Sequence, residues 1–394
     1  MCRDAKILLL VSGLFTFAMG LSSAFVNIFF WRQTNNFKLI VIYNMVQYVV
    51  TPLIFILGGM LAKKKNGIWP MRLGLLTYGI FFTVILLARG KGALYICMLG
   101  VLYGIGTGFY WLAFNTLCFD YTDTGNRDTF NGFNGSSAGL AAAAAPITAG
   151  TIISSLPDLA GYRVVFALTL GIFVVLLFIS LTLKCKNYGE KLNFRVAFSR
   201  NNGEWDTVRK TTTLWGMRDM VIVFVVNILI IQTTNSELSL GKLTLVASLL
   251  SSVSYTLVQK IIKPPKRRLA IVLGTVGSFA AVFGLVLRVE YVTLLIYAAL
   301  DALVLPFFLI QLGSTTFNVI SRAHEENLRI EYMINKDIAL NTGRIISALV
   351  LLILVTVWDS TAVLQGFLFF IALMPIASGI LLGRLKKLLS GNFD

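Results

Sequence analysis

The chain has 394 residues, of which 57% are hydrophobic and only 13% are charged, and its mean hydropathy is +0.80. A soluble domain carries about 25% charged residues, so this composition excludes an ordinary soluble protein. The net charge of +16 indicates basic cytoplasmic loops of a membrane protein rather than a nucleic-acid partner. Four cysteines without paired spacing and a single histidine argue against disulfides and metal clusters, and we expect no cofactor.

Twelve apolar runs follow one another along the chain, each long enough to cross a bilayer as an α-helix. The first run continues past the core of a signal peptide, which is about 7 to 15 residues long, so we interpret it as a membrane span. The predicted fold class is an all-α polytopic membrane protein. Its predicted spans are 7–30, 39–62, 71–88, 94–118, 129–154, 163–184, 217–235, 242–262, 269–287, 291–320, 337–357 and 362–384.

The loops between these spans alternate between basic and nearly neutral ones. Lys and Arg collect on the cytoplasmic side of a membrane, and most of the 34 basic residues fall on the side that holds both chain ends. We therefore expect cytoplasmic termini in a multi-pass protein of a plasma membrane, with the short loops of a bacterial one. The polar stretch 185–215 predicts a cytoplasmic linker between six-helix bundles at 1–184 and 216–394.

The two predicted bundles carry matching local patterns. Asn115 closes the fourth span and Arg127 follows after a short loop, as Asn318 closes the tenth span and is followed by Arg329. A basic turn also follows the second span of each bundle. A duplicated six-helix unit requires such matches at corresponding positions.

Two six-helix halves, a long central loop and a basic loop after the second span resemble the major facilitator superfamily over the whole chain. The superfamily's signature after the second span is similar to the segment from Gly59 to Gly67, followed by Arg72. Lys63 stands where the signature has an acidic residue that latches the two halves. The resemblance implies a secondary transporter with these four residues in its gate.

The fourth and fifth spans extend the resemblance. Glycines within 104–108 fit the superfamily's helix-four motif, although Gly100 stands where the motif has an arginine. In the fifth span, the small residues around Pro146 and Gly150 keep the spacing of the Gly-Pro-x-x-Gly-Gly ending of proton antiporters. Small residues allow close helix packing, and a proline can bend a helix. This match implies an exporter with Pro146 and Gly150 in its gate.

Two ionisable residues fall deep inside predicted spans, where a charge is costly and by default a functional candidate. Asp301 lies in the tenth span and Arg344 in the eleventh, both approaching the bilayer midplane, and we expect them to face one another. In the functional interpretation, Asp301 exchanges a proton while Arg344 controls its protonation or binds an anionic substrate group. In the structural interpretation, they form a buried pair. Both interpretations stay open.

Polar and aromatic side chains on the spans that line the superfamily's central cavity form the predicted substrate-binding set. A mostly apolar cavity with scattered hydrogen-bonding groups suits amphipathic organic molecules. The alternative is that the aromatic rings pack in the bundle or anchor at the membrane interface. The set comprises Arg344, Asn27, Trp31, Tyr103, Tyr110, Trp111, Asn115, Asn227, Gln232 and Gln311, with Asn44 and Gln47 as further polar groups.

Charged residues at the predicted cytoplasmic rim form a second gating set. Networks of such residues close an inner gate and break when the cavity opens inward, whereas a solvated loop is the competing interpretation. The set comprises Asp120 at the end of the fourth span, Arg218 and Asp219 at the start of the seventh, and Arg329, Glu331 and Asp337 at the start of the eleventh.

The sequence thus predicts a secondary transporter that works by alternating access and exports an amphipathic organic compound in exchange for protons. Two alternatives stay open: a flippase for an anionic lipid or lipid-linked sugar, and a membrane receptor or assembly partner that does not transport. No catalytic constellation can be assembled, so we expect no enzyme. The expected partners are a small-molecule or lipid substrate, the bilayer and protons, and the expected state is a monomer.

Overall fold

The chain folds into helices joined by short connections. The computed structural model describes residues 1–87, 92–122, 127–185, 187–199, 202–322, 326–358, 361–385 and 389, and the regular structure within them is helical. Two 3-10 turns, Pro264–Lys266 and Glu326–Leu328, precede the tenth and twelfth helices. The helices are α1 (Arg3–Thr34), α2 (Phe37–Lys64), α3 (Ile68–Leu87), α4 (Ala93–Tyr121), α5 (Arg127–Ser155), α6 (Ala160–Leu181), α7 (Phe194–Phe198), α8 (Gly203–Thr234), α9 (Glu237–Ile261), α10 (Arg267–Leu287), α11 (Tyr291–Arg322), α12 (Arg329–Val357) and α13 (Thr361–Leu382).

Twelve of the described helices are long and apolar enough to cross a membrane, and α7 is the short exception. This confirms the predicted all-α fold class with twelve spans. Sharp turns end two of the helices: Asn35 after α1 and Asn235 after α8 adopt left-handed conformations, with φ of 46° and 49°. The amide of each asparagine donates to a carbonyl of the preceding turn at 2.8 Å, and such a cap stops a helix.

The start of the seventh span differs from the prediction. The hydropathy pattern predicts a start near residue 217, but α8 begins at Gly203, so the last 13 of the 31 residues of the predicted linker are helical. Charged residues make the first turns of α8 look like a loop in a hydropathy pattern. Asn202 caps these turns by accepting a hydrogen bond from the Trp205 amide at 2.7 Å, and Glu204 and Asp206 complement the positive end of the helix dipole.

The chain divides into two compact units. Unit 1 comprises Met1–Leu192 and Ser236–Leu245, and unit 2 comprises Asn193–Asn235 and Val246–Asp394. Unit 1 therefore holds α1 to α6 with the first turns of α9. Unit 2 holds α7, α8, the rest of α9 and α10 to α13.

Glycines bring the helices of unit 1 close together. A Cβ added at Gly100 of α4 would lie 2.9 Å from the Tyr43 carbonyl oxygen of α2, and one at Gly108 would lie 2.7 Å from the Thr51 carbonyl oxygen. Real Cβ atoms do not approach other atoms so closely, so α4 needs glycine at both places. The arginine that the superfamily motif has at the place of Gly100 has no room here.

The closest helix contact in unit 2 joins α8 and α12. A Cβ at Gly343 would lie 2.0 Å from the Thr213 carbonyl oxygen, and one at Gly216 would lie 2.2 Å from the Leu340 carbonyl oxygen. The two backbones thus touch directly. Small residues permit such contacts in membranes, where van der Waals packing drives helix association. This contact fixes the part of α8 that carries the next charged residues, Arg218 and Asp219.

We predict that Gly343→Ala destabilises the protein by about 1–3 kcal/mol or more, because its methyl group would overlap backbone atoms that cannot move independently. Thermal unfolding of the purified protein in detergent measures this loss. Gly313→Ala in α11 is the matched control, because its methyl group would meet no atom within 4 Å. Equal melting temperatures for the two variants would contradict the proposed contact.

Candidate functional site

A buried ion pair lies inside the membrane spans of unit 2. Nη2 of Arg218 on α8 is 2.5 Å from Oδ1 of Asp301 on α11. Both residues are almost inaccessible to solvent, since Arg218 is 2% exposed and Asp301 is 9% exposed. Ser278 of α10 donates to the same carboxylate oxygen at 2.8 Å. The hydroxyl of Tyr297 lies 3.4 Å from Arg218 Nη2, so three helices supply this site.

Arg218 does not lie at the end of its helix, where the sequence predicted a gating residue. Arg218 and Asp219 were expected at the rim because α8 was expected to start just before them. In the structure they lie near the middle of α8, where the Arg218 guanidinium packs over the Trp215 ring at 5.4 Å from its centroid. The expected pair of Asp301 with Arg344 is wrong, because Asp301 pairs with Arg218.

Arg344 belongs to a second polar chain in unit 2. Its Nε donates to Asp219 Oδ2 at 3.0 Å, and its Nη2 contacts the same oxygen. Nη1 of Arg344 donates to Asn341 at 3.3 Å, and the Asn341 amide donates to the Asp337 carboxylate at 3.0 Å. Asp337 was expected to open this helix, but α12 begins at Arg329, so Asp337 lies two turns inside it. The chain Asp219–Arg344–Asn341–Asp337 crosses from α8 to α12 beside their glycine contact.

Two other predicted gating residues lie at the start of α12. Arg329 is its first residue, and Glu331 is fully buried and accepts a hydrogen bond from the Asn193 amide at 3.1 Å. One turn further, Asn335 donates to the Ala197 carbonyl at 2.8 Å and accepts from the Trp205 indole at 2.9 Å. These contacts hold the end of the linker and α7 against α12, so Glu331 is part of a built structure rather than a solvated loop.

The signature segment of unit 1 has an unexpected partner. Lys63 is buried, and its Nζ lies 2.9 Å from Glu190 of the linker. The amides of Tyr188 and Glu190 donate to the carbonyls of Lys65 and Lys63 at 2.8 and 2.9 Å. The linker thereby satisfies carbonyls that the end of α2 leaves open. The latch position is therefore basic here, and the linker supplies its carboxylate.

The remaining signature residues also hold helix ends in unit 1. Gly59 is buried on α2, and a Cβ at Gly67 would lie 2.9 Å from Leu117. Arg72 donates to the Ser180 carbonyl at the end of α6 at 3.3 Å. Asp120 accepts hydrogen bonds from the Tyr188 hydroxyl and, at 3.7 Å, from the Cys185 thiol. The linker is thus attached to both α2 and α4.

Pro146 and Gly150 pack against the first turns of α9, which belong to unit 1. A Cβ at Gly150 would lie 2.8 Å from the Glu237 carbonyl oxygen, and one at Gly241 would lie 2.8 Å from the Pro146 carbonyl oxygen. The small residues of α5 therefore permit direct backbone contact, as the sequence implied.

Glu237, which the sequence patterns did not indicate, organises this contact. The Glu237 carboxylate lies 2.9 Å from the Arg32 guanidinium and accepts a hydrogen bond from the Tyr162 hydroxyl at 2.7 Å. Glu237 is buried, although it stands at the edge of a predicted loop. Its place two residues after Asn235, at the first position of α9, was the available signal, because an acidic residue at a helix start is favoured by the helix dipole.

The predicted substrate-binding residues of unit 1 separate into two groups. Asn27 joins a buried amide chain, because it accepts from Asn44 at 2.8 Å and Asn44 in turn accepts from Gln47 at 3.4 Å. Tyr103 and Tyr110 lie in aromatic packing: Tyr110 is buried and stacked on Phe15, and Tyr103 meets Tyr43, Tyr78 and Phe81 edge-on. Trp31 and Asn115 are half-buried, and Trp111 is 43% exposed.

The polar residues predicted to line a cavity in unit 2 differ in exposure. Gln311 of α11 is buried, Asn227 of α8 is half-buried and Gln232 near the end of α8 is exposed. Their role in substrate binding stays a prediction.

Comparison with known proteins identifies the family. A family model described as Major Facilitator Superfamily matches residues 8–333. The chain belongs to this superfamily. Membership confirms the resemblance drawn from the sequence and points to a secondary transporter rather than an enzyme.

Two bacterial relatives and one solved structure are similar to this chain. The uncharacterized protein YqgE of Bacillus subtilis is 35% identical over 351 residues, which cover 88% of this chain and 82% of that protein. An uncharacterized protein in the sodM 3′ region of Geobacillus stearothermophilus is 43% identical over 164 residues, covering 42% of this chain and 77% of that protein. The crystal structure of the nucleoside transporter NupG matches with a TM-score of 0.68 and 12% identity, over 97% of this chain and 99% of that one. At this identity, the likeness shows the fold alone.

We predict that breaking the Arg218–Asp301 pair from one side costs about 3–5 kcal/mol of stability, because the remaining charge stays buried without a partner. Arg218→Met and Asp301→Leu should each lower the melting temperature in detergent strongly. The double variant should recover most of the loss, because it leaves no unpaired charge. A double variant that loses the sum of the two single losses would contradict direct pairing.

Proposed function

We propose that this protein is a proton-coupled secondary transporter that exports an amphipathic organic compound by alternating access. The observation that carries the proposal is the buried Arg218–Asp301 pair within the membrane spans of unit 2. An intramembrane carboxylate is costly and marks an ion or proton pathway by default. Asp301 is the proposed coupling residue, and Arg218 is the partner that protonation would displace.

Coupling follows from the cost of leaving Arg218 alone. A proton on Asp301 neutralises the carboxylate, and the guanidinium then has no counter-charge in a dry site. Arg218 must move to water or to another anion, and either move alters the packing of α8 against α11. Proton binding and helix rearrangement therefore become one event. A ligand shifts a conformational equilibrium in this way when its affinity differs between the two states.

The surroundings of Asp301 favour a proton over a metal cation as the coupling ion. Its Oδ1 contacts the Arg218 guanidinium and the Ser278 hydroxyl. A metal ion on that carboxylate would sit beside a buried positive charge, which repels it strongly at low dielectric. Among the described residues, no cluster of three or more His, Cys, Asp or Glu side chains offers a metal site.

The second chain, from Asp219 to Asp337, is the proposed means of returning α8 to its resting place. Arg344 holds Asp219 next to the Gly216–Gly343 contact, so it keeps α8 on α12 while Arg218 changes partners. In this account Arg344 positions α8. This differs from the sequence-based hypothesis that it binds substrate.

The amide chain of Asn27, Asn44 and Gln47 supports an amphipathic substrate. The other side chains of α1 and α2 around these amides are mostly apolar or aromatic. Such a mixture suits organic molecules with a few hydrogen-bonding groups. The antiporter-like small residues of α5 support export as the direction. A panel for transport assays should include lipophilic cationic dyes and nucleosides, both of which combine ring systems with polar groups.

Asp301→Asn tests the coupling role. In everted vesicles, we expect it to abolish proton-driven extrusion of a transported dye while dye-for-dye exchange continues, because the amide cannot cycle a proton but the helices can still move. Fluorescence quenching with and without a proton gradient measures both activities.

Asp219→Asn is the matched control, because it also removes a carboxylate partner of an arginine on the α8 interface. It should keep gradient-driven extrusion, although more slowly. Gradient-driven extrusion by Asp301→Asn would exclude Asp301 as the coupling residue. Loss of both extrusion and exchange by Asp301→Asn in a folded protein would make the pair structural.

A further inference from the structure

A groove runs along the membrane-facing surface of unit 2 between α10 and α13. Its volume is about 530 Å³. It begins at the end of these helices that adjoins the basic loop 263–268, and it extends into the apolar part of both spans. Its walls and floor differ in chemistry, and that difference indicates an occupant.

Each wall of the groove is one helical row that starts with an arginine. Arg268, Val272 and Val276 follow at every fourth residue of α10, and Arg384, Ile380 and Ile376 do so just past and along α13. Residues four apart lie on one face of a helix. At 1.5 Å per residue, each row is about 12 Å long. The two arginines therefore stand together at one end of an apolar channel.

The floor is formed by small residues where the two helices meet. A Cβ at Gly379 would lie 2.8 Å from Thr275 Cγ2, so α13 packs directly on α10 at this point. Gly383 continues the same face, and its carbonyl accepts a hydrogen bond from Arg268 Nη2 at 3.3 Å. This bond holds the Arg268 side chain over the end of the groove and leaves its other N–H groups for a ligand.

The exposure of the walls shows which surroundings the groove meets. Val272 is 54% exposed, Val276 49% and Ile380 61%, and on spans of this hydropathy such side chains face lipid. Both arginines are exposed, and among the described residues neither forms an ion pair with a carboxylate. Lys263, Lys266 and Arg267 add positive charge nearby.

We propose that this groove binds one anionic phospholipid. The lipid phosphate lies between Arg268 and Arg384, and an acyl chain lies along the two apolar rows. Guanidinium groups form strong charge-assisted hydrogen bonds to phosphate. Basic pockets between membrane helices on the cytoplasmic side, where the basic loop 263–268 is expected to lie, recognise anionic headgroups. The lipid would join α10 to α13 as a stationary ligand, separate from any transported substrate.

Native mass spectrometry of the full-length protein in detergent tests the site. Dioleoyl-phosphatidylglycerol should remain bound at one molecule per chain under conditions that remove dioleoyl-phosphatidylcholine. Arg268→Gln with Arg384→Gln should weaken phosphatidylglycerol binding about tenfold or more, because both phosphate contacts are lost. Lys263→Gln with Lys266→Gln removes the same charge from the neighbouring loop and should leave binding within about twofold.

The acyl-chain part of the proposal has its own variant. Val276→Trp fills the groove while both arginines remain, and its exposed position allows the protein to fold. It should lower phosphatidylglycerol binding about tenfold as well. Unchanged binding by Val276→Trp, equal retention of the two lipids, an equal loss in the loop control, or displacement by millimolar glycerol phosphate would each overturn the site.

Discussion

The contacts of the candidate site all depend on the buried charge of Arg218. A guanidinium in a dry span requires a counter-charge and hydrogen-bond acceptors within the protein, because neither water nor lipid supplies them. Asp301 meets this need from α11, and Ser278 of α10 holds the carboxylate in place. Close packing of α8 on α12 through Gly216 and Gly343 then fixes where Arg218 points. A buried site with one charge of each sign responds strongly when one charge is removed, and a proton would remove the carboxylate charge reversibly. The pair that the resting fold cannot lose from one side without cost is therefore also the proposed means of coupling.

The two halves of the chain end corresponding helices with the same kinds of residue and hydrogen bond. The first helix of each half, α1 and α8, ends in an asparagine with left-handed conformation, Asn35 and Asn235. Arg72 at the start of α3 donates to the last carbonyls of α6, as Arg268 at the start of α10 donates to the carbonyl of Gly383 after α13. These matches concern backbone groups that a helix end leaves open, so they report on shared architecture rather than on function. In the part of unit 1 that the structure describes, the ion pairs Lys63–Glu190 and Arg32–Glu237 lie at helix ends, and the middles of the spans hold polar amides and aromatic rings instead. Such matches are what a duplicated six-helix unit would show, and the candidate site lies where the two halves differ.

Hydropathy and loop charge were sufficient to predict twelve spans and the superfamily, because both depend on composition over about twenty residues. Hydropathy mispredicts a helix boundary where the helix end is polar. The first turns of α8 are charged and therefore resemble a loop in a hydropathy pattern; they carry Glu204, Asp206, Arg209 and Lys210. That error displaced Arg218 from mid-span to the rim and left Arg344 as the apparent partner of Asp301. Glu237 was missed for the same reason, since it stands at a boundary and only its contacts with Arg32 and Tyr162 reveal that it is buried. Ion pairing depends on rotation and depth of two helices at once, and a single sequence specifies neither.

The departures from the superfamily's motifs are compensated locally. Lys63 stands at an acidic place, yet a carboxylate is still present, because Glu190 of the linker approaches within 2.9 Å. Two backbone hydrogen bonds hold the linker in position for this contact, and Asp120 holds it again through Tyr188. The end of α2 thus still carries an ion pair, with the basic group on the helix and the carboxylate on the linker. These contacts attach the linker to the ends of α2 and α4 within unit 1. Loss of the family's acidic residue therefore does not by itself favour the alternative of a receptor or assembly partner that does not transport.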